Sequence, residues 1–146
     1  MSTEGLAEQD MCSWRQETTL RTLSEIEAVV SAVADAMHAA DYARADVFAM
    51  RLALDEAICN AVKHGNRNDP TKKVSVRCHV TRDLVRTEIE DEGDGFDPHH
   101  VPDPCQQENL ERPCGRGLLL MHRYAARVRF NDRGNHVTLI RYRSAE

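Results

Sequence analysis

The sequence predicts an α+β fold of two layers, in which a mostly antiparallel sheet carries helices on one face. Two consecutive segments between residues 22 and 65 repeat apolar residues with the period of a helix, and the segments on either side alternate as strands do. The length of 146 residues suits one domain with its own core. We therefore expect the order β-α-α-β-β-loop-α-β-β in a single domain at residues 13–146.

The first segments are expected to be a tail and a strand. Residues 1–12 carry no hydrophobic periodicity, which is typical of a disordered terminal tail. The stretch "SWRQETTL" is predicted to form the first strand, with Trp14, Gln16 and Thr18 on one side.

Two helices are expected next. The first begins with Thr22 and Glu25, which have the spacing of a capping box. Asp41 is the expected N-cap of the second helix, and Gly65 is its expected end. The apolar stripe of the first helix is predicted to comprise Leu23, Ile26, Val30, Val33 and Met37. The core face of the second is predicted to comprise Val47, Met50, Leu54, Ile58 and Ala61.

The remaining strands are predicted to form two hairpins around a long loop. In the first hairpin, Arg82 and Asp83 occupy the expected turn. Residues 97–114 hold four of the five prolines and are predicted to be a long loop. The stretch "GRGLLLMHRYA" then predicts a short helix, and "RVRF" and "HVTLIRYR" predict the last hairpin. One face of the first hairpin's leading strand should comprise Val74, Val76, Cys78 and Val80.

The composition indicates a soluble globular protein, with 41% hydrophobic and 29% charged residues. No apolar run reaches the roughly 20 residues of a membrane helix, and "MSTEGLAEQD" is too polar for a signal peptide. Five cysteines without a Cys-x-x-Cys pair are expected to be reduced thiols of a cytoplasmic protein. The net charge of −5 argues against direct nucleic-acid binding.

The charge is unevenly distributed along the sequence. Residues 1–60 hold 11 acidic and 4 basic side chains, whereas residues 112–143 hold eight arginines and a single acid, Asp132. The arginine-rich part is expected either to face phosphates or an acidic partner, or to lie on solvated strand and helix faces.

Three polar motifs carry the functional hypothesis. Glu56, Asn60 and His64 recur every four residues, so they line one side of the second helix. This row would be an ordinary solvated helix surface if it stood alone. The row therefore indicates a functional site only in combination with the two glycine motifs that follow it.

The first glycine motif is Asp91-x-Gly93-x-Gly95 in "IEDEGDGF", at the end of a predicted strand. A carboxylate beside two glycines suits a flat ligand held against the backbone, although a simple acidic turn has the same pattern. The second is Gly115-x-Gly117 in "CGRGLLLM", before a helix. Free backbone N–H groups at a helix start favour phosphate, although a flexible loop end is the alternative.

Together, and in this order, the motifs resemble the Bergerat ATP-binding fold of the GHKL superfamily, which includes gyrase-type topoisomerases, certain chaperones, mismatch-repair ATPases and histidine kinases. The resemblance covers roughly residues 14–143. A chain this short with "DEAICNAVKHG" and "GRGLLLM" is most similar to the bacterial anti-sigma factor/serine-protein kinase branch.

The resemblance implies roles for the first motif. Asn60 would bind Mg²⁺ through its amide oxygen, and Glu56 would be the general base for a serine hydroxyl or a water. Lys63, His64 and Gly65 would lie near the phosphates or the ribose of ATP.

It also implies roles for the glycine motifs. Asp91 would accept a hydrogen bond from the adenine amino group, beside Gly93, Gly95 and Phe96, and Thr138 would support this site from a neighbouring strand. The phosphates would be capped by Gly115, Arg116, Gly117 and Leu118. Residues 97–114 would form the ATP lid. Relatives often have a further glycine at the position of Cys114 and a second Gly-Leu step at the position of Leu119. These differences leave open how flexible the lid is and how far the helix start reaches toward the phosphates.

The lid also offers an alternative metal site, comprising His99, His100, Cys105 and Cys114. The spacing does not match the usual paired zinc ligands, so solvated side chains are the preferred interpretation.

For activity, the resemblance implies an ATP-binding anti-sigma factor that phosphorylates a serine or threonine of an anti-anti-sigma antagonist protein. The expected partners are therefore a sigma factor or related regulator, the antagonist, and a second copy in a homodimer paired through the first strand. The alternative is a non-catalytic module of the same fold, in which ATP only selects partners. Glu56 is the residue that favours catalysis.

Overall fold

Two helices cover one face of a five-stranded sheet in the structure, a computed structural model that describes residues 13–93 and 127–144. A 3₁₀ turn, Leu23–Glu25, precedes the first helix, and a π-helical turn, Ala61–Gly65, follows the second. The elements are β1 (Trp14–Leu20), α1 (Ile26–Ala39), α2 (Arg44–Asn60), β2 (Val74–Val80), β3 (Leu84–Asp91), β4 (Arg127–Phe130) and β5 (His136–Tyr142). The predicted two-layer α+β fold is confirmed, while the predicted loop and short third helix lie outside the described residues.

The strands are ordered β1-β2-β3-β5-β4, and every neighbouring pair is antiparallel. The two predicted hairpins, β2–β3 and β4–β5, are therefore present. Thr81 N–H donates to the Leu84 carbonyl (2.9 Å) around the predicted turn at Arg82 and Asp83. Because β5 pairs with β3, the last strand lies beside the end of the strand that carries Asp91.

Successive side chains of each strand point alternately to the face of the sheet that carries the helices and to the opposite, helix-free face. Val85 and Ile89 of β3 are buried under the helices, as are Val137 and Leu139 of β5. The predicted inward face of β2 is confirmed, since Val74, Val76, Cys78 and Val80 are all buried. The core therefore lies between this face and the two helices.

The predicted helix faces are largely confirmed. All five residues of the expected α2 face are buried, and so are the α1 stripe residues from Ile26 onward. Leu23 differs, with 41% exposure, because it lies in the 3₁₀ turn before the helix. The Glu25 carboxylate accepts the Thr22 backbone N–H (2.9 Å), as expected for a capping box.

Asp41 is not the N-cap of α2, contrary to the sequence prediction. The N-cap position is Ala43, which has no side-chain acceptor, and α2 begins at Arg44. Asp41 instead has a φ of 61°, and its N–H donates to the His38 carbonyl (3.0 Å). Asp41 therefore closes α1 rather than opening α2, a left-handed position that aspartate tolerates.

The end of the sheet is fastened to the start of α2 by an ion pair and to the connection before α2 by a cation–π contact. Asp46, with 0% exposure, accepts from Arg141 (2.9 Å) and from the Ser144 backbone N–H (3.0 Å). The Arg143 guanidinium lies 4.0 Å above the Tyr42 ring and donates to the Asp41 carbonyl (2.9 Å). These contacts are called the C-terminal clamp below. Two arginines of the basic segment thus have a structural role.

In the described part of the chain, no helix is long and apolar enough to cross a membrane.

Candidate functional site

The end of α2 presents the first motif beside a change in helical geometry. Glu56 and Asn60 are half-buried, and His64 is exposed on the π-helical turn that follows. Ala57 and Ala61, also on α2 and this turn, are buried, and their small side chains leave room next to Asn60. Single π turns are rare and often occur at functional sites.

The end of β3 presents the second motif. Asp91 is only 6% exposed, and its Oδ1 accepts the Gly93 backbone N–H (2.9 Å). Within the described ranges no donor contacts Oδ2. The second oxygen of this mostly buried carboxylate is therefore left to accept from a ligand N–H or from solvent.

Two glycines surround the Asp91 carboxylate. A Cβ placed on Gly65 would overlap the Asp91 carboxylate, and a Cβ placed on Gly93 would overlap the Gly65 carbonyl. The π-helical turn and the end of β3 can therefore approach this closely only because both positions are glycine. The approach puts Gly65 directly against the acid.

Burial raises the pKa of Asp91, and the neighbouring Glu90 carboxylate acts in the same direction. The hydrogen bond from Gly93 and the charges of Arg133 and Lys72 oppose this effect without cancelling it. The folded protein thus holds a carboxylate in surroundings that disfavour its charge, which is frequent at functional sites.

A pocket connects the two motifs. Asp91 and Ile89 of β3 form one wall, and Asn60 lies on the α2 side next to its two alanines. The other lining residues come from β4, β5 and the turn between them and include Phe130, Asn135 and Val137. Two residues predicted from different motifs, Asn60 and Asp91, therefore line the same pocket.

Asn66 is a site residue that the sequence did not reveal. It is 3% exposed, its Oδ1 accepts the Glu92 N–H (2.8 Å), and its Nδ2 donates to the Lys73 carbonyl (3.0 Å). The side chain thus connects the π-helical turn to the end of β3 and the segment entering β2. In the sequence, Asn66 looks like an ordinary turn residue after Gly65, and no hydrophobic pattern indicates that its side chain is buried.

Asn135 supports Asp91 from the β4–β5 turn and was also missed. The Asp91 backbone N–H donates to the Asn135 carbonyl (2.9 Å), and Asn135 Nδ2 donates to the Asp91 carbonyl (3.3 Å). Asn131 Oδ1 in turn accepts the Asn135 N–H (3.0 Å). The turn "NDRGN" therefore holds the backbone on which Asp91 is mounted.

Thr138 does not reach this site. It lies opposite Glu88 in β5, so its side chain is on the helix-free face, whereas Asp91 faces the helices with Ile89. The alternation that buries Val137 and Leu139 places Thr138 on the other side. The expectation that it supports an adenine pocket is therefore corrected.

The remaining predicted residues divide into two groups. Lys63, His64 and Gly65 all lie on the π-helical turn, with Lys63 half-buried. The others lie outside the described residues: Gly95, Phe96, Gly115, Arg116, Gly117 and Leu118, together with the lid at 97–114 and the alternative zinc ligands.

Two observations concern cysteines and metals. Cys59, next to Asn60, is disulfide-bonded, which overturns the expectation that all five cysteines are reduced thiols. Cys78 is free, and burial raises the pKa of its thiol to about 12. Among the described residues, no group of three His, Cys, Asp or Glu side chains could hold a metal ion by itself.

Comparisons with known proteins identify the family of this fold. Residues 17–141 match the family described as the histidine kinase-like ATPase domain. The serine-protein kinase RsbW of Bacillus subtilis (strain 168) is 30% identical over 134 residues, which cover 83% of this chain and 78% of that protein. RsbW of Bacillus licheniformis is 30% identical over 118 residues, covering 72% of this chain and 70% of that protein.

A solved structure shares the fold. The crystal structure of the RsbU and RsbW domains of Rv1364c from Mycobacterium tuberculosis matches 89% of this chain with a TM-score of 0.55 and 14% identity. This chain spans about a third of that polypeptide, 33% of its length.

Proposed function

Because the chain belongs to the family of histidine kinase-like ATPase domains, we propose that the pocket between α2 and β3 binds ATP. The observation that carries this proposal is the buried Asp91 carboxylate, with an Oδ2 that has no donor in the described part and two glycines around it. A mostly buried carboxylate with one oxygen left for a donor, beside two glycine backbones, fits a planar base with an amino group.

Asp91 would discriminate between purines. It can accept from the adenine amino group, whereas guanine presents a carbonyl oxygen at the same edge. Leaving a buried carboxylate without a donor costs about 1–3 kcal/mol or more. Gly65 and Gly93 contribute by keeping the space beside the carboxylate free of side chains.

The α2 residues would serve the phosphate end. Asn60 offers a hard amide oxygen to Mg²⁺, which when bound would neutralise phosphate charge. The described acids include no ligand cluster of their own, and phosphate oxygens and water would be suitable further ligands. Glu56, one helical turn before Asn60, would take the proton of an acceptor hydroxyl.

We extend the proposal to protein serine/threonine kinase activity toward an anti-anti-sigma antagonist, combined with binding of a sigma factor. Two relatives at 30% identity are named serine-protein kinases, and each is matched over more than two thirds of its length. Glu56 and Asn60 are present on one helix face with the spacing that this chemistry requires.

The first experiment is a calorimetric titration of Mg²⁺-ATP into the wild type, Asp91→Asn and Glu90→Gln. Glu90 is the matched control because it is the neighbouring acid on the helix-free face. We expect Asp91→Asn to weaken binding by about 10- to 100-fold, the loss of one hydrogen bond to a charged group. Equal affinities of all three proteins would contradict the adenine assignment.

The second arm separates catalysis from binding. With radiolabelled ATP and small antagonist proteins co-encoded with this chain, Glu56→Gln should retain ATP affinity but transfer phosphate about 10²- to 10⁴-fold more slowly. ATP binding by the wild type without any transfer would favour the non-catalytic interaction module instead.

A further inference from the structure

The helix-free face of the sheet carries a line of mostly basic side chains that crosses all five strands. Arg15 of β1 lies opposite His79 of β2, and His79 lies opposite Arg86 of β3. Arg86 lies opposite Ile140 of β5, which lies opposite Arg127 of β4. We call Arg15, His79, Arg86 and Arg127 the basic row. The line contains no acidic residue, although the whole chain has a net charge of −5.

The adjacent row on the same face has mixed charges. There the Glu88 carboxylate lies 3.6 Å from Arg77 and 3.5 Å from Arg86, long contacts that neutralise Arg86 only in part. The end members differ, since Arg15 and Arg127 are exposed and make no ion pair or hydrogen bond in the described ranges.

The basic row is also accessible from one side as a concave surface. A shallow groove on the helix-free face is lined by Arg15, His79 and Arg86, together with Glu17, Arg77 and Glu88. Arg77 and Arg86 share Glu88, whereas Arg15 at the groove's margin has no ion pair in the described part of the chain, so this margin suits an extended acidic segment.

The chain itself contains such a segment next to the basic row. Residues 1–12 include Glu4, Glu8 and Asp10 and no lysine or arginine. They join the sheet at Ser13, two residues before Arg15. All three acids have even numbers, so in an extended conformation their side chains point to the same side.

The reach of this segment matches the width of the sheet. Five strands are roughly 19 Å across, from β1 to β4. An extended chain covers about 3.3 Å per residue, so Asp10 reaches roughly 10 Å and Glu8 roughly 17 Å from Ser13. These distances correspond to the positions of Arg86 and Arg127.

We propose that residues 8–10 dock across the basic row of their own chain. Each charge pair at the surface contributes little, but the tether keeps the acids at a high effective concentration near the arginines. The contact is electrostatic, and salt therefore weakens it. The docked segment covers the helix-free face and leaves the nucleotide pocket on the helix side untouched, so this inference stands apart from the proposed function.

Cleavage by a glutamate-specific endoproteinase tests the proposal, because Glu8 is a cleavage site within the docked residues. We expect the full chain at low salt to be cleaved at Glu8 about three- to tenfold more slowly than the free peptide MSTEGLAEQDMC, the protection that a few tethered charge pairs give. Arg15→Gln/Arg127→Gln and Asp10→Asn should each restore most of the peptide's rate, as should about 500 mM salt.

Arg44→Gln is the matched control, an exposed arginine at the start of α2 on the other layer, and it should leave the protection unchanged. Melting temperatures of all variants, measured in parallel, should equal that of the wild type because the substituted side chains are at the surface. The proposal is overturned by a full chain that is cleaved as fast as the free peptide. Protection that grows with protein concentration would also overturn it, since the segment would then occupy a second copy.

Discussion

Asp91 combines a recognition role with a cost to stability. Its burial raises its pKa, so the folded state binds a proton at Asp91 more readily than the unfolded chain does. Stability from this residue is therefore greatest below the unfolded value, near 3.8, and is lost as the pH rises through the folded pKa. At neutral pH the ionised carboxylate is a destabilising feature.

Replacement of Asp91 by asparagine should consequently stabilise the protein at pH 7. The introduced amide does not titrate but keeps an acceptor for the Gly93 N–H, so we expect the melting temperature to rise by a few degrees. The advantage should shrink as the pH falls below about 4, where Asp91 is protonated in both states. Thermal unfolding monitored by circular dichroism at both pH values measures this.

Asp35→Asn serves as the control for this change, since Asp35 is exposed on α1 and does not act on the pKa of Asp91. A melting temperature of Asp91→Asn below that of the wild type at pH 7 would contradict the predicted stabilisation. Stabilisation together with lost ATP affinity would identify Asp91 as a residue kept for ligand binding.

At the scale of single residues, the sequence reveals positions whose chemistry is explicit and misses positions whose role depends on tertiary contacts. Asp91 and its glycines were recognisable because a strand-end carboxylate followed by two alternate glycines is unusual. Asn66 was not, because its burial depends on β2 and β3 lying beside the π-helical turn. Thr138 was misplaced although the alternation with Val137 and Leu139 contained the necessary signal.

At the scale of elements, the site is built where α2 ends and β3 ends, and Asn66 fastens the two. Its two hydrogen bonds satisfy the backbone N–H of Glu92 and the carbonyl of Lys73. The Lys73 N–H also donates to the Glu92 carboxylate (2.9 Å), so three segments are joined within a few residues. Any displacement here moves Gly65 relative to Asp91.

Asn66→Ala should therefore weaken both the fold and the site. Removing two part-buried side-chain hydrogen bonds to the backbone costs about 1–2 kcal/mol of unfolding free energy. We also expect at least a tenfold loss of ATP affinity, because the glycine contact with Asp91 is no longer fixed. Urea unfolding and calorimetry measure the two quantities.

A second variant separates positioning from general destabilisation. Asn66→Asp keeps an acceptor for the Glu92 N–H but has no donor for the Lys73 carbonyl, so an intermediate affinity is expected. If folded Asn66→Ala bound ATP as tightly as the wild type, Asn66 would have no positioning role.

The helices and strands themselves were predicted well because the period of their apolar residues matches the side of each element that is buried. The faces of α2 and β2 followed from spacing alone, since each element has one buried side. The start of α2 did not, because the left-handed turn at Asp41 reads in sequence like a cap. The π-helical turn has no known sequence period, so only the structure reveals it.

At the scale of the whole molecule, the C-terminal clamp joins the last strand to the helical layer through Asp46. Burial opposes ionisation of Asp46, but hydrogen bonds from Ser144 and Arg141 outweigh it and lower the pKa. A lowered pKa means that the stability contributed by Asp46 is present above the unfolded value of about 3.8. It is lost as the pH falls through the folded pKa.

Asp46→Asn should destabilise the protein at pH 7 by about 1–3 kcal/mol, because Arg141 loses its charged partner in a buried site. The difference from the wild type should narrow below pH 4, where the wild type loses the same interaction. Denaturant unfolding at a series of pH values measures the effect. Asp35→Asn, an exposed acid on α1, is the control and should match the wild type throughout; a pH-independent gap for Asp46→Asn would contradict the ionic account.

The antiparallel sheet has a further consequence for how such a domain can be joined to others. Trp14 at the start of β1 and Arg141 near the end of β5 lie in one cross-strand line with Val80 and Val85, roughly 14 Å apart. Asp91 lies at the other end of the sheet, beside Val74. The start of β1 and the end of β5 therefore both lie on the side of the sheet away from the pocket. We expect fusion partners or reporter proteins joined there to leave the pocket between α2 and β3 open.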